Sequence, residues 1–284
     1  MVDYTMKKSV SLVTGASSGL GRNIAKLLCE EGHLVYVTAR RKEKLLELKK
    51  ECSLHSGEIR IIDGDLVDIN FRKKLVNRVL NDSGRIDYLI NNAGYGKLEA
   101  LEKISYEDLE GMVVLNFIAL QHLCQLVLPL MKKKKSGRII NIASVAAFEP
   151  PPYFATYNAT KYAVHGFTKS LSYELKGSGV STSAVYPPRM KTGFWTIAFK
   201  CKGLSGGEQK KCVEEWTKKS AGSLSVAKFT VRNLDNQNVI LLPGVLPKVA
   251  YHILRHFKFV GNFFMRTSGL KNARKALSHM KLRP

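Results

Sequence analysis

Two side chains that can transfer a proton stand four positions apart in this sequence, Tyr157 and Lys161. Side chains at this spacing lie next to each other on one face of a helix. An ammonium group favours a neighbouring phenolate, so we expect the lysine to lower the pKa of the tyrosine and make it a better acid near neutral pH. Ser144 supplies a hydroxyl upstream of the pair. Combined with a phosphate-binding loop, these residues predict an enzyme that transfers a hydride and a proton.

A glycine-rich segment near the N-terminus has the features of such a loop. Gly15, Gly19 and Gly21 lie between a predicted strand and a predicted helix. Glycine lets the backbone turn sharply and approach a pyrophosphate, and the start of a helix offers amide donors and a favourable dipole. The spacing Gly-x-x-x-Gly-x-Gly differs from the commoner Gly-x-Gly-x-x-Gly. We expect cofactor contacts from Gly15, Ser17, Ser18, Gly19, Leu20 and Gly21.

The end of the second predicted strand indicates which cofactor is used. An acidic side chain at this point would hydrogen-bond the ribose of NAD. The sequence has Ala39, Arg40 and Arg41 instead, and guanidinium groups suit a 2′-phosphate. We therefore predict NADP(H), with Arg22 as an assisting ligand. The alternative is that Arg40 and Arg41 are ordinary surface residues at the start of a helix.

Short apolar runs alternate with longer amphipathic segments along the chain. The predicted strands cover 10–14, 34–39, 59–62, 88–91, 138–142, 182–185 and 239–242. The predicted helices cover 19–31, 42–54, 68–82, 105–132 and 157–176. This alternation predicts an α/β fold: a doubly wound, Rossmann-type parallel sheet of about seven strands with helices on both faces.

In a sheet of this kind, ligands bind beyond the carboxyl ends of the strands. Further candidate residues follow the third to sixth strands: Asp65 and Leu66, then Asn91, Ala93 and Gly94, then Ser144, then Pro187 and Thr192. Asp65 can accept a hydrogen bond from the adenine amino group, or it can simply form a turn. The topology therefore predicts one cleft that holds both the cofactor and the reacting groups.

Composition narrows the class of protein. The 284 residues suit one catalytic domain, placed at 1–245. A net charge of +22 attracts polyanions such as cofactor phosphates, anionic lipid or nucleic acid, or it serves solubility alone. Five scattered cysteines without a Cys-x-x-Cys pattern indicate free thiols, a reducing compartment and no metal site. We expect no uncharged apolar stretch of the ~20 residues that span a bilayer, and hence a cytoplasmic protein, soluble or peripheral to a membrane.

Taken together, the motifs resemble those of the short-chain dehydrogenase/reductase family. The resemblance covers roughly 8–245, and six motifs carry it: the segments 14–21, 91–94 and 187–192, Asn116, Ser144, and Tyr157 with Lys161. Two positions depart from the family pattern. Thr160 stands where a serine is common and keeps the hydroxyl. Pro188 stands where the family usually has a glycine. Proline fixes φ and removes an amide donor near the nicotinamide end.

The resemblance implies a role for each matching residue. Tyr157 would exchange a proton with the substrate oxygen, Lys161 would support it and bond the nicotinamide ribose, and Ser144 would hold the substrate oxygen. Asn116 would anchor a water that connects Lys161 to solvent. The remaining contacts would line the cofactor: Asn91, Ala93, Gly94, Pro187 and, at the nicotinamide carboxamide, Thr192.

Residues 193–230 correspond to the substrate lid of that family. Phe194, Trp195, Ile197 and Phe199 precede several glycines, which suits a loop that folds over an apolar ligand. Residues 150–154 would form the opposite wall. Equally, these aromatic side chains can pack on the domain or on a partner subunit. We expect a small hydrophobic carbonyl or alcohol substrate: a steroid, a retinoid, a fatty acyl compound or an aromatic carbonyl.

The segment 246–284 is predicted to be a basic amphipathic helical extension. No acidic residue follows Asp235, and apolar residues recur at helical spacing from Val249 to Phe264. Such a helix can lie on anionic lipid. It can also dock on its own domain or seal a dimer, and we favour docking.

The leading hypothesis is an NADPH-dependent carbonyl reductase, or the reverse alcohol dehydrogenase. The alternative is a catalytically silent NADPH-binding regulator or scaffold, against which the intact Ser144, Tyr157 and Lys161 argue. We do not expect nucleic-acid binding, because no recognised motif supports it. The apolar faces of helices 105–132 and 157–176, together with the family resemblance, favour a homodimer or homotetramer.

Overall fold

The predicted alternation of strands and helices is confirmed in the computed structural model, which describes residues 8–199, 206–218, 220–245, 249 and 251. The strands are β1 (Val10–Thr14), β2 (Leu34–Thr38), β3 (Glu58–Ile61), β4 (Tyr88–Asn91), β5 (Gly137–Ile142), β6 (Val180–Val185), β7 (Met190–Lys191), β8 (Ala221–Gly222) and β9 (Ile240–Leu241). The α-helices are α1 (Gly19–Glu30), α2 (Lys42–Glu51), α3 (Ile69–Ser83), α4 (Tyr106–Val113), α5 (Ala119–Lys134), α6 (Ala155–Glu174), α7 (Phe194–Ala198), α8 (Gly206–Thr217) and α9 (Ser223–Arg232).

Seven of the strands form one parallel sheet in the order β3-β2-β1-β4-β5-β6-β9. The chain first builds outward from β1 to β3 and then crosses to β4 on the other side of β1. The loops after β1 and β4 therefore diverge at this switch point and leave a crevice, which is where such sheets bind ligands. Strands β7 and β8 form a separate two-stranded parallel sheet.

Both faces of the main sheet are covered, as a parallel sheet requires. Successive strand residues alternate between two apolar clusters. Leu12 and Ile139 pack with α3, α5 and α6 on one face, while Val13 and Ile140 pack with α1, α2 and α9 on the other. Each such fully buried aliphatic side chain contributes about 1.5–3 kcal/mol. The strands are continuous apolar runs for this reason, and the doubly wound fold is confirmed.

The helix predicted over 105–132 extends from Tyr106 to Lys134. A single π-helical turn, Val114–Ile118, joins α4 to α5. The run 111–131 contains no Lys, Arg, Asp or Glu. The expectation that no uncharged apolar stretch reaches the length of a bilayer span is therefore wrong. Its most apolar window of 18 residues has a mean hydropathy of 1.8, so this helix is long and apolar enough to cross a membrane by length and composition alone. In the fold, Leu123, Val127 and Met131 pack into the core beneath the sheet.

The C-terminal part of the chain is described only in part. Strand β9 is shorter than predicted, and of the segment 246–284 only Val249 and Tyr251 fall within the described residues. The ring of Tyr251 packs on that of Phe148, with 4.8 Å between centroids. The predicted helical extension lies outside the described residues, so the division at 245 stays a prediction.

Candidate active site

The three proposed chemical side chains come together at the carboxyl end of β5. Ser144 follows that strand directly, and its Oγ accepts a hydrogen bond from the Ala146 amide at 3.1 Å. Tyr157 and Lys161 lie on α6, which begins at Ala155. The Lys161 Nζ lies 5.7 Å from the centroid of the Tyr157 ring and donates to the carbonyl oxygen of Ile142 at 2.9 Å. The shared helical face predicted from the spacing is therefore observed.

Burial controls the protonation of this pair. It raises the pKa of Tyr157 to about 12, although a hydrogen bond with Ser144 acts in the opposite direction. It lowers the pKa of Lys161 to about 8. The net pKa of the tyrosine is therefore raised and not lowered as predicted, because removing both groups from water penalises the charged form of each, and this cost exceeds what a neighbouring ammonium gains for the phenolate. At neutral pH the phenol holds its proton and the amine is largely charged.

Asn116 connects the site to its surroundings from within the π-helical turn. Its Oδ1 accepts from the Tyr95 amide at 3.0 Å, and its Nδ2 donates to the Tyr95 carbonyl at 2.8 Å. The same Nδ2 donates to Thr160 Oγ1 at 3.1 Å. These bonds join the loop after β4 to α6 one residue before Lys161. The side-chain amide of Asn116 thus bonds protein groups and positions the turn that carries Lys161, while the water that it is expected to anchor stays a prediction.

The glycine loop is clamped to the loop after β4. Thr14 Oγ1 accepts from the amides of Asn92 and Ala93 at 2.9 and 3.0 Å, and Asn92 Nδ2 donates to the Thr14 carbonyl at 2.9 Å. Gly15 has φ +67°, and a Cβ there would lie 2.8 Å from the Ala93 Cα. Only glycine fits this left-handed, crowded position. Sequence reasoning assigned no role to Thr14 or Asn92, although both lie inside the matching motifs.

Arg41 lies across the entrance of the glycine loop. Its guanidinium donates to Ser17 Oγ at 2.9 Å and to Ser18 Oγ at 2.8 Å. Arg40 points outward, and its NH1 lies 3.7 Å from Asp65 Oδ2. Both arginines therefore stand beside the loop that is expected to hold the cofactor phosphates.

Two other predicted contacts are placed differently. Arg22 pairs with Glu51 at 2.8 Å and donates to the Lys44 carbonyl, so its guanidinium is held by α2 and does not assist at the phosphate. Asp65 Oδ1 accepts from the Val67 amide at 3.0 Å. This is the turn alternative, and the Asp65 side chain still lines the cleft.

A single cleft of about 1810 Å³ connects these groups. Most of the predicted site residues line it: Gly15, Ser17, Ser18, Gly19, Leu20, Arg40, Arg41, Asp65, Leu66, Ala93, Gly94, Ser144, Tyr157, Lys161, Pro187 and Thr192. Gly21, Asn91 and Asn116 do not line it. Asn91 donates to Asn141 Oδ1 at 2.9 Å and is buried beneath the loop, so it supports the cleft wall without forming part of it.

The lid side of the cleft is a chain of aromatic contacts. The ring of Phe194 lies 5.4 Å from that of Tyr157 and 5.1 Å from that of Trp195. Trp195 in turn lies 5.8 Å from Trp216, and Phe154 contacts Trp195 from the opposite wall. The lid aromatics were expected either to cover a ligand or to pack on the domain or a partner subunit, and their positions agree in part with each. These side chains pack on one another and on the domain, and they also face the cleft.

Both ends of the lid rest on the first turns of α1. Where the lid begins, a Cβ at Gly19 would lie 3.2 Å from Thr192 Cγ2. Where it reaches the start of α9, Asn23 Nδ2 donates to Ser223 Oγ at 3.0 Å. Helix α9 then packs along α1. The lid and the glycine loop therefore share one supporting helix.

The residues at this end of the cleft fit a dinucleotide cofactor. Helix α1 has twelve residues, and its N-cap Ser18 makes no side-chain capping hydrogen bond. Its first turn carries no acidic side chain. The first amides and the helix dipole are thus available for a pyrophosphate. The Arg41 guanidinium beside them provides the cation that an additional phosphate would need.

The family assignment follows from residues 9–200, which match the family model of short chain dehydrogenases. The chain belongs to the short-chain dehydrogenase/reductase family. Its members are oxidoreductases, and the fold and the motif order described above agree with the assignment. The prediction made from six short motifs is therefore confirmed.

The chain is similar to the 3-ketodihydrosphingosine reductase of Bacteroides thetaiotaomicron, with 34% identity over 189 residues that cover 66% of each protein. Among solved structures, a short-chain dehydrogenase from Sphingobium yanoikuyae in complex with NADPH is 26% identical, with a TM-score of 0.76 over 88% of this chain and 93% of that one. A Burkholderia phymatum family member in complex with NAD reaches a TM-score of 0.79 at 22% identity, covering 89% and 95%. The last likeness concerns the fold alone.

Proposed function

We propose that this protein is an NADPH-dependent reductase of hydrophobic carbonyl compounds, able to run in reverse as an alcohol dehydrogenase. The observation that carries the proposal is the continuity of the cleft. One wall begins at Arg41 and the serines of the glycine loop, passes Ser144, Tyr157 and Lys161, and ends at the aromatic lid. A cofactor phosphate, a reacting carbonyl and an apolar substituent would each meet a suitable surface there.

The protein's own groups would act on the carbonyl oxygen. Bound NADPH supplies the hydride. As negative charge develops on the substrate oxygen, the hydroxyls of Ser144 and Tyr157 would donate hydrogen bonds to it. Tyr157, which keeps its proton because of its raised pKa, would deliver that proton to the oxygen. The Lys161 ammonium would stabilise the phenolate that remains. Asn116 would hold Thr160, and so the Lys161 turn, in register.

Support for NADP(H) over NAD(H) comes from the arginines at the end of β2. Arg41 is anchored by two serine hydroxyls, and its remaining N–H groups can donate to a phosphate. One structural neighbour carries NADPH and another NAD, so the likeness to solved structures does not decide. The charges that follow β2 favour NADP(H), because Arg40 and Arg41 stand there in place of a carboxylate, and of the two only Arg40 is paired with an acid, Asp65.

Support for a hydrophobic substrate comes from the lid. Phe194, Trp195 and Trp216 line the cleft on one side and Phe154 on the other. Large aromatic side chains contribute most binding free energy when they cover the apolar surface of a ligand. The Bacteroides relative is named for a keto lipid. We therefore place fatty acyl and other long-chain carbonyl compounds before steroids and retinoids.

A substrate screen tests the proposal. Purified protein is incubated with NADPH and a panel of aliphatic, aromatic and steroid carbonyls, and the loss of NADPH absorbance is followed. We expect turnover with long-chain carbonyls and its loss in Tyr157→Phe. NADPH binding without turnover on the whole panel would favour the alternative, a catalytically silent regulator or scaffold.

We further propose that the protein is a homodimer or homotetramer. The apolar helix 106–134 and α6 leave large apolar side chains exposed, among them Ile118 (44%), Tyr162 (43%) and Tyr173 (69%). Patches of this kind are typical of interfaces between subunits. Light scattering after size exclusion should give a multiple of the 31.7 kDa chain, and Ile118→Glu should reduce it. A monomeric wild type would contradict this assembly.

For the basic segment 246–284, docking on the domain is preferred over contact with a membrane from the cytoplasm. Flotation with anionic liposomes compares the full chain with a chain ending at 245. Equal recovery of both would end the membrane alternative. If only the full chain binds the vesicles, the segment contacts the membrane and the docking proposal is wrong.

A further inference from the structure

The cleft contains a fixed arginine that the proposed reaction does not use. Arg189 lies after β6, between the nicotinamide-end residue Pro187 and the lid, and it lines the cleft. Its guanidinium carbon lies 4.5 Å from the centroid of the Trp216 ring, and its NH1 donates to the Trp216 carbonyl at 3.1 Å. Its own carbonyl accepts from the Ala221 amide at 3.1 Å. The bond from Ala221 fixes the backbone of Arg189, and the stacking and hydrogen bond to Trp216 orient its side chain.

No carboxylate neutralises this arginine within the described ranges. The ion pairs found there do not include Arg189. Three acids line the cleft. Asp65 pairs with Arg40 and Asp108 with Lys97. Glu149 forms none of these ion pairs and does not contribute to the pKa shift of Arg189. Outside those ranges the sequence has a single acidic residue, Asp3.

The surroundings of Arg189 add to the need for a partner. The side chain is open to the cleft, yet the walls around it remove enough water to lower the pKa of the guanidinium, and burial is the only cause of that shift. Arginine keeps its charge under all ordinary conditions. A partly desolvated cation beside aromatic rings binds an anionic oxygen group more strongly than a surface arginine does.

The aromatic contacts link this cation to the reacting group. From Tyr157 the chain of rings passes through Phe194 and Trp195 to Trp216, in steps of 5.1–5.8 Å, and Arg189 lies on the face of the last ring. An apolar chain lying along these rings would place a carbonyl at one end and an anionic group at the other.

We infer that Arg189 is a specificity-determining residue that binds a carboxylate or phosphate carried by the carbonyl substrate. The inference rests on the proposed function and narrows its substrate class to anionic, chain-like oxo compounds. Carboxylate and phosphate share the same chemistry here, since a guanidinium fork binds either in two-point fashion.

The test compares substrates that differ only in charge. Keto acids of increasing length, 6-oxodecanoate, 10-oxotetradecanoate and 14-oxooctadecanoate, and their methyl esters are reduced with NADPH by the wild type, Arg189→Met, Arg189→Lys and the control Arg232→Met. The control removes an equal charge from the exposed end of α9. A hydrogen bond between charged groups corresponds to about ten- to a hundredfold in affinity. We expect wild-type kcat/KM to favour the acid by at least about tenfold. Arg189→Met should remove most of that ratio, Arg189→Lys part of it, and Arg232→Met none. A 6-oxodecyl phosphate arm tells phosphate from carboxylate preference.

Equal losses for acid and ester in Arg189→Met would overturn the inference and leave Arg189 as a brace for the lid. A matching loss of NADPH affinity would assign the arginine to the cofactor instead. Binding is measured separately through tryptophan fluorescence, because the only two tryptophans of the chain, Trp195 and Trp216, belong to this cluster. Decanoate, but not methyl decanoate, should change the fluorescence of the wild type and not of Arg189→Met.

The fluorescence arm separates two kinds of failure. If no carbonyl is reduced but decanoate binds only when Arg189 is present, the proposed function fails and the anion site stands. If carbonyls are reduced and decanoate and its ester bind alike, the proposed function stands and the anion site is wrong.

Discussion

The two ends of the cleft are built by different means. At the cofactor end, hydrogen bonds that Asn92 donates to Thr14 lock two loops together, and Arg41 is held by two serines. At the substrate end, Phe194, Trp195 and Trp216 meet mainly through ring contacts. Hydrogen bonds fix direction and distance, whereas ring contacts tolerate several arrangements. The first end is therefore preset for one ligand shape, and the second can adapt to a range of apolar groups.

Between the two ends stands Tyr157, where the largest effect is expected. Tyr157→Phe removes the proton donor, and general acid catalysis is worth about 10²–10⁴ in rate. We expect kcat for carbonyl reduction to fall by that factor while the Kd for NADPH, measured by fluorescence titration, stays nearly constant. The control is the melting temperature, which should change little. Full activity in Tyr157→Phe would show that Tyr157 is not the proton donor and that the cleft only holds the reactants.

The cofactor end is tested by charge removal. Arg41→Ala takes away a guanidinium beside the glycine loop, so kcat/KM for NADPH should fall about ten- to a hundredfold, with little change for NADH. Arg22→Ala is the matched control, because its guanidinium pairs with Glu51. Parallel losses with both cofactors, or an equal loss in Arg22→Ala, would contradict the assignment of the 2′-phosphate site.

The pH dependence of reduction reports on the buried pair. Tyr157, with a pKa of about 12, stays protonated throughout. Lys161, with a pKa of about 8, is charged below that pH and neutral above it. Because the charged form stabilises the phenolate, kcat/KM should be level at lower pH and fall up to about tenfold per unit above pH 8. In Lys161→Arg the charge persists, so the decline should move beyond the measured range. An unchanged profile would exclude Lys161 as its source.

Two glycines compare the rigidity of the ends directly. A Cβ at Gly21 would overlap Asn92 Nδ2 and lie 2.6 Å from the Gly15 carbonyl oxygen, whereas a Cβ at Gly193 in the lid would have no atom within 4 Å. Gly21→Ala should lower the free energy of unfolding by about 1–3 kcal/mol, and Gly193→Ala should change it by no more than about 0.5 kcal/mol. Urea denaturation measures both. Similar losses would mean that the lid is as tightly packed as the loop.

The same contrast explains what the sequence could predict. Strand and helix positions follow from apolar periodicity, and the glycine loop follows from backbone requirements that only one residue type meets. These local constraints are visible in a single chain. The bounds of β1 were predicted to the residue, and α6 was predicted to begin only two residues late.

Tertiary placement accounts for the predictions that were wrong or incomplete. The partner of Arg22 depends on where Glu51 of α2 lies. The direction of the Tyr157 pKa depends on how much water the fold removes. The π-helical turn at Asn116 could not be predicted, because its residue types do not differ from those of the helix around it. Arg189 gains meaning only when Trp216, far along the chain, is seen beneath it.

The attachment of the lid to α1 has a kinetic consequence. The lid begins beside Gly19, and it reaches α9 where Asn23 bonds Ser223. A nucleotide that binds at the first turn of this helix also fixes both contacts of the lid with α1. The apolar part of the cleft therefore takes its final shape only after the nucleotide has bound. We expect compulsory-order kinetics, with the nucleotide entering first and departing last. Product-inhibition patterns would reveal it, and competitive inhibition between the alcohol product and NADPH would speak for random entry.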